Sequence, residues 1–127
     1  MVIHKVLKAF TLIELLVVMA IIATLLTITL PRYFKSVDRS KEKVLRTNLN
    51  TMRDAIDKYY GDRGHYPASL EALVLDEYVK AIPDDPVTES SQTWIITPPK
   101  DAKESGVGDL HSGATGTASD NTLFSEW

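Results

Sequence analysis

The chain has 127 residues, enough for one small domain, and its 14 Lys and Arg residues against 17 Asp and Glu residues give a net charge of −3. This balance lacks the basic footprint of a general nucleic-acid binder. Cysteine is absent, which excludes disulfides, thiolate metal sites and a cysteine nucleophile.

An apolar run over residues 10–30, FTLIELLVVMAIIATLLTITL, follows a short leader that carries Lys5 and Lys8 and no acid. A helix of this length extends about 31 Å, which matches a hydrocarbon core of about 30 Å. We therefore expect the run to span a membrane. A cleaved secretory signal is the alternative, but the apolar part of such signals is usually about 7–15 residues long, and no clear A-x-A site follows this run.

Glu14 is the one charged residue in the run. A charged side chain at the centre of a bilayer costs about 2.5–3.5 kcal/mol on insertion scales, so we expect Glu14 to have a function. The alternative is a carboxylate that snorkels to the interface. The orientation of the span stays open, because more Lys and Arg residues follow the run within residues 31–43 than precede it, a count that favours a cytoplasmic C-terminal flank.

Pro31 removes a backbone donor from the helix, so we expect a kink or local melting there, with the hydroxyls of Thr27 and Thr29 placed to satisfy the freed groups. Residues 35–60 then show helical periodicity, and Gly61 and Gly64 end the pattern. The apolar stripe of this helix, predicted to pack on the chain's own C-terminal half, is Leu45, Leu49, Met52, Ile56 and Tyr59.

The C-terminal half contains shorter elements. Residues 69–78 predict a second helix with Ser69 as its N-cap, and residues 94–97 predict a strand. Short strands are also possible at 107–111 and 122–127. The remaining sequence carries no catalytic signature: the histidines lack metal spacing, no nucleophile elbow is present, and Asp84 and Asp85, between two prolines, indicate a solvated turn.

The segment AFTLIELLVVMAIIATLLTITLPRYF resembles the N-terminus of type IV pilin-like proteins. In that family a prepilin peptidase removes a short basic leader just before a Phe and methylates the new amine. The resemblance implies cleavage between Ala9 and Phe10, with Glu14 as the acid of the motif and Pro31 as the family's helix-breaking proline. Ala9 is a departure, because the family usually has Gly at that position.

The C-terminal half looks like the G-type pseudopilins of type II secretion systems, through HYPASLEALV, IPDDPVTESSQTW, GVGDLHSG and DNTLFSEW. This resemblance implies an α+β pilin fold, in which a long N-terminal transmembrane and amphipathic helix packs on a small antiparallel β-sheet domain. The implied organisation is a leader over 1–9, a transmembrane segment over 10–30, an amphipathic continuation over 31–61 and a periplasmic domain over 62–127.

The implied function is structural rather than enzymatic. The subunit would form a homopolymer, the pseudopilus, together with minor pseudopilins and an inner-membrane assembly platform. It would be anchored by one pass in the bacterial inner membrane, and the charge of Glu14 would pair with the Phe10 amine of a neighbour or of its own chain, one helical turn away. No nucleic-acid partner is expected. The alternatives are a subunit of a type IV or DNA-uptake pilus and a monomeric membrane-anchored periplasmic domain, perhaps a hydrolase.

Calcium is the one cofactor that the resemblance suggests. G-type pseudopilins commonly bind calcium in a C-terminal loop, and Asp109 and Asp120 are the candidate ligands here, since calcium prefers several hard oxygens. Thr115 stands where the family often has an Asp. The alternative role for both acids is capping and turn hydrogen bonding.

Overall fold

The computed structural model describes residues 9–127. The chain divides into two units, Met1–Val37 and Asp38–Trp127, and helix α1 (Leu12–Arg63) contributes residues to both. The leader lysines, Lys5 and Lys8, lie outside the described residues. The other elements all belong to the second unit: α2 (Leu70–Leu75), β1 (Ile95–Thr97), β2 (Asp109–His111) and a 3₁₀ helix (Phe124–Glu126).

The first unit consists of the N-terminal part of α1 and the residues before it. This helix is long and apolar enough to cross a membrane, with a mean hydropathy of 2.5 over its most apolar window. Helical structure continues through Pro31, so the predicted local melting is wrong, while a bend at this position stays a prediction.

Three threonine hydroxyls in this unit donate to carbonyls of their own helix, and the first of these bonds runs from Thr24 Oγ1 to the carbonyl of Ala20 at 2.8 Å. Thr27 Oγ1 donates to the carbonyl of Ala23 and Thr29 Oγ1 to the carbonyl of Leu25, both at 2.8 Å. A hydroxyl has one proton, so neither group can also donate to the carbonyl of Thr27, which loses its usual donor at Pro31. The expected compensation at the proline is therefore wrong.

The core of the second unit forms around the apolar stripe of α1. Leu45, Leu49, Met52, Ile56 and Tyr59 are all at most 5% exposed, as the periodicity predicts. They belong to one cluster with buried residues of α2, of β2, of the residues that precede the two strands and of the 3₁₀ helix. These include Leu73, Trp94, Val107, Leu110 and Phe124. The stripe is thus covered by the chain's own C-terminal half, as predicted.

Helices α1 and α2 are each followed within two residues by a residue in the left-handed conformation. Gly64 has a φ of +72° and donates its N–H to the carbonyl of Tyr60 at 2.8 Å, so α1 passes Gly61 and ends at Arg63. The hydroxyl of Ser69 accepts from the N–H of Ala72, which confirms it as the N-cap of α2. Helix α2 is shorter than predicted, because the chain leaves the helical conformation and reaches a φ of +61° at Glu77.

Strands β1 and β2 pair antiparallel, with Ile96 opposite Leu110. This confirms a strand near residues 94–97 and another within 107–111. The strand considered for 122–127 is wrong, because these residues contain the 3₁₀ helix. Asn121 has a φ of +66°, and Asp120 accepts from the N–H of Thr122. Together they turn the chain before an extended strand can form.

Asp85 contradicts the prediction of a solvated turn. Its side chain is fully buried and accepts from the N–H groups of Val87 and Thr88 at 2.9 and 3.4 Å and from the hydroxyl of Ser112. Of the two acids, only the neighbouring Asp84 is exposed. Asp85 therefore organises the turn from inside the core rather than facing water.

Leu49 provides a test of the core. Leu49→Ala is expected to lower the free energy of unfolding by about 2–5 kcal/mol, because it removes buried methyl groups and leaves a cavity. Val44→Ala, on the same helix but at a side chain that is 48% exposed, should cost about 0.5 kcal/mol or less. Chemical unfolding of the full chain in detergent measures both, and equal losses would contradict this description of the core.

Candidate assembly site

Glu14 lies in the first turn of α1. Its backbone N–H donates to the hydroxyl of Thr11 at 3.1 Å, and the N–H of Leu15 donates to the carbonyl of Thr11 at the same distance. Thr11 therefore caps the helix. Thr11 and Glu14 also match the T-x-x-E pattern of a capping box, a signal that the interpretation of Glu14 missed.

The carboxylate of Glu14 is exposed, and it has no hydrogen-bond or salt-bridge partner within the described part of the chain. An acid near a helix N-terminus interacts favourably with the helix dipole. Glu14 is also the fifth residue of the apolar run, so its charge lies near the end of the run rather than in its middle. The position is compatible with a partner from another molecule.

Ala9 and Phe10 precede the helix. Both are exposed, and α1 begins two residues after Phe10. The bond between Ala9 and Phe10 is therefore accessible within residues 9–127. Phe10 and Glu14 would share a helical face only if the helix began at Phe10, and α1 begins at Leu12 instead.

Pro31 does not belong to the same site as Glu14. Pro31 lies 17 positions after Glu14 in continuous helix, which corresponds to about 26 Å along the axis. Every large apolar side chain from residue 10 to residue 30 is at least 43% exposed. Such a surface must be covered by lipid or by other protein.

Asp109, one of the two calcium candidates, contacts a cation of α1. Its Oδ1 accepts from Arg53 Nε at 2.8 Å. Nη2 of the same guanidinium donates to the carbonyls of Leu110 and Trp127, both at 2.9 Å. Arg53 thus joins α1, β2 and the C-terminal segment.

Asp120, the other candidate, is engaged on both oxygens. Its Oδ1 accepts from the N–H of Thr122 at 3.0 Å and from the hydroxyl of Thr122 at 2.5 Å. Its Oδ2 lies 3.4 Å from Nη2 of Arg46. The hydrogen bonds from Thr122, aided by the charge of Arg46, lower the pKa of Asp120 below its ordinary value of 3.8.

These contacts do not fit a calcium shell. Calcium takes about six to eight oxygen ligands, whereas Asp109 and Asp120 each face an arginine. Residues 9–127 contain no group of three or more His, Asp or Glu side chains placed to hold a metal ion. A calcium site stays a prediction from the resemblance, without support from this geometry.

The charged residues of α1 that hold the C-terminal segment were not predicted from sequence. Glu42 accepts from the N–H and the hydroxyl of Ser119 at 2.6 and 2.7 Å, and Arg46 lies over the Trp127 ring at 3.8 Å from its centroid. In the sequence these residues look like an ordinary solvated helix face. Their partners are more than 70 residues away along the chain, so no local pattern indicates them.

Comparison with known proteins places the chain in a class. Residues 7–30 match the family described as "Prokaryotic N-terminal methylation motif". The chain is 34% identical over 125 residues to "Fimbrial protein EcpC" of Eikenella corrodens, covering 91% of this chain and 78% of that protein. No solved structure is significantly similar.

Two further relatives extend the comparison. The chain is 32% identical over 95 residues to "Type II secretion system core protein G" of Pseudomonas aeruginosa, covering 62% of this chain and 67% of that protein. It is 37% identical over 59 residues to "Type IV major pilin protein PilA" of Myxococcus xanthus, covering 46% of this chain and 27% of that protein.

An N-terminal methylation motif, one apolar helix and a small α+β unit define a pilin-like subunit. The chain belongs to the type IV pilin-like superfamily, close to core protein G of type II secretion systems. The relatives indicate a subunit of a type II secretion or type IV pilus system.

Asp120 predicts a pH dependence. Because its pKa is lowered in the folded chain, its contribution to stability is present above about pH 4 and is lost as the pH falls through the lowered pKa. Asp120→Asn should therefore be less stable than the wild type at pH 6, and the difference should shrink towards pH 2.5. Unfolding of the full chain in detergent across this range measures it. Asp57→Asn, at an exposed acid of α1, is the control, and a difference for Asp120→Asn that is independent of pH would contradict the prediction.

Proposed function

We propose that the protein is a structural subunit that polymerises into a periplasmic pseudopilus for type II protein secretion. Its similarity to several type II core proteins G supports this function, as does the absence of the cysteines that a C-terminal disulfide loop of an adhesive pilin would need. The protein would not be an enzyme, and its work would be done by polymerisation that a cytoplasmic ATPase drives.

The observation that carries the proposal is the carboxylate of Glu14, which lies at the edge of an exposed apolar helix and has no partner among residues 9–127. After cleavage before Phe10, the mature chain would begin with a cationic amine close to this acid. Each charge is costly in lipid when alone. Pairing Glu14 with the amine of an adjacent subunit lowers this cost, and it favours one vertical register between helices.

The proposed setting follows from the same features. A prepilin peptidase would cut between Ala9 and Phe10 and methylate the new amine. The span would lie in the inner membrane with the second unit in the periplasm. Minor pseudopilins and an inner-membrane platform would be the other assembly partners.

A type IV pilus subunit is the second candidate, because the fimbrial relative matches 91% of the chain whereas the type II relatives match 62%. Deletion of the gene in the native host separates the two. Loss of protein secretion into the medium with unchanged surface fibres supports the pseudopilus. Loss of surface fibres with normal secretion supports the pilus and contradicts our first proposal.

Glu14→Leu tests the assembly role. The variant should insert into the membrane as well as the wild type, because a charge has been removed from the span, but it should form no filaments. Thr24→Val, a polar-to-apolar change in the same run, is the matched control and should assemble normally. Membrane fractionation and electron microscopy of sheared filaments measure the two steps, and normal filaments from Glu14→Leu would refute the role.

The mass of the mature protein tests processing. Coexpression with an active prepilin peptidase should give a chain that lacks residues 1–9 and carries one added methyl group on Phe10. An inactive peptidase should leave the full-length mass, and Ala9→Gly should be processed at least as completely as the wild type. A full-length product from all samples, with no self-association, would instead support a monomeric anchored domain.

A further inference from the structure

The C-terminal segment, residues 117–127, has little regular structure of its own. It contains the 3₁₀ helix Phe124–Glu126, and Thr117 forms a single isolated bridge with Leu123. Its anchors in the core are Ala118 and Phe124. Such a segment loses much conformational freedom on folding, so its order depends on further contacts.

Helix α1 supplies these contacts through three charged side chains. Glu42 accepts two hydrogen bonds from Ser119, and Arg53 donates to the carbonyl of Trp127. Between them, Arg46 reaches Asp120 and the ring of Trp127. All three belong to the second unit, and together they contact Ser119, Asp120 and Trp127.

The contacts of Arg46 close into a ring. Its guanidinium lies 3.8 Å from the centroid of the Trp127 ring and 3.4 Å from Oδ2 of Asp120. The indole Nε1 of Trp127 donates to the hydroxyl of Thr122 at 2.7 Å, and this hydroxyl donates to Oδ1 of Asp120 at 2.5 Å. A cation thus lies between an aromatic face, which attracts positive charge, and a carboxylate.

We propose that the guanidinium of Arg46 takes the structural place of a bound calcium ion, so that the C-terminal segment of this chain folds without metal. A divalent cation at Asp120 would lie next to Arg46 and be repelled by it. It would also compete with the two hydrogen bonds from Thr122. Asp109 likewise already faces a cation, because its Oδ1 accepts from Arg53.

This inference does not rest on the proposed filament function. It concerns the folding of one chain, so its test and the filament test fail independently. Two tryptophans are present: Trp127 reports on the segment, and Trp94, which is buried and donates to the carbonyl of Pro83 at 2.9 Å, reports on the core.

The first experiment compares the wild-type full chain in detergent, stripped with EDTA and then titrated to 10 mM calcium. The two indole N–H signals in NMR spectra and the Tm should be unchanged. A site with a dissociation constant of about 0.1 mM would instead raise the Tm by several degrees. Stabilisation of that size, or a calcium-dependent shift of the Trp127 signal, would overturn the proposal.

The second experiment removes the cation. Arg46→Met keeps a long apolar side chain against Trp127, and it should lower the Tm by about 2–6 °C and shift the Trp127 indole signal while the Trp94 signal stays in place. Arg46→Lys keeps the charge and should retain at least half of the stabilisation. Lys41→Met removes another cation of α1, whose Nζ lies 3.9 Å from a carboxylate oxygen of Glu89, and this change should have no measurable effect.

Comparison of Arg46→Lys with Arg46→Met shows whether the positive charge holds the C-terminal segment. If Arg46→Lys is as destabilised as Arg46→Met, the positive charge is not what holds the segment and the proposal is wrong. An Arg46→Met variant that melts like the wild type would also refute it. Should Arg46→Met fail to fold, the milder Asp120→Asn replaces it, and this variant should reduce the Tm without affecting Trp94.

Discussion

A change in the apolar pattern along α1 determines which part of the helix is covered by this chain and which part needs lipid or another protein to cover it. Up to residue 30 the helix is apolar all round, and none of its large side chains is buried. From Leu45 to Tyr59 only one stripe is apolar, and that stripe is covered by the second unit. The second unit can therefore satisfy its own hydrophobic surface. The apolar run cannot, and it needs a lipid or protein environment.

Helices and core could be predicted because their signals are local. The spacing of Leu45, Leu49, Met52 and Ile56 predicts their burial, and Ser69 before an apolar stretch predicts a helix start. The apolar run likewise predicts a span from length alone. These features depend on periodicity or on neighbours within one turn, so a single sequence contains the information.

The errors share a different cause, which is tertiary contact. Asp85 looks solvated between its prolines, but Ser112, 27 residues further along the chain, meets its carboxylate inside the core. Residues 122–127 were considered as a short strand, yet a hydrogen bond to Asp120 and a left-handed Asn121 turn the chain there. The arginine partners of Asp109 and Asp120 were missed for the same reason, because Arg53 and Arg46 lie on α1, 56 and 74 residues earlier in the chain. Family membership was easier to infer, since the methylation motif is confined to residues 7–30, and for that reason the motif does not distinguish between secretion and pilus systems.

The threonine hydroxyls of the apolar run have a consequence for how subunits choose one another. The hydroxyls of Thr24, Thr27 and Thr29 each donate to a carbonyl of their own helix, so they cannot donate to the helix of an adjacent subunit. Contacts between the apolar helices of adjacent subunits would then depend on side-chain packing, with Glu14 as the charged group. Subunits whose apolar helices have a similar surface shape and carry the same acid would be interchangeable in these contacts. Discrimination between subunit types, in a mixed fibre, would have to come from the surfaces beyond the span.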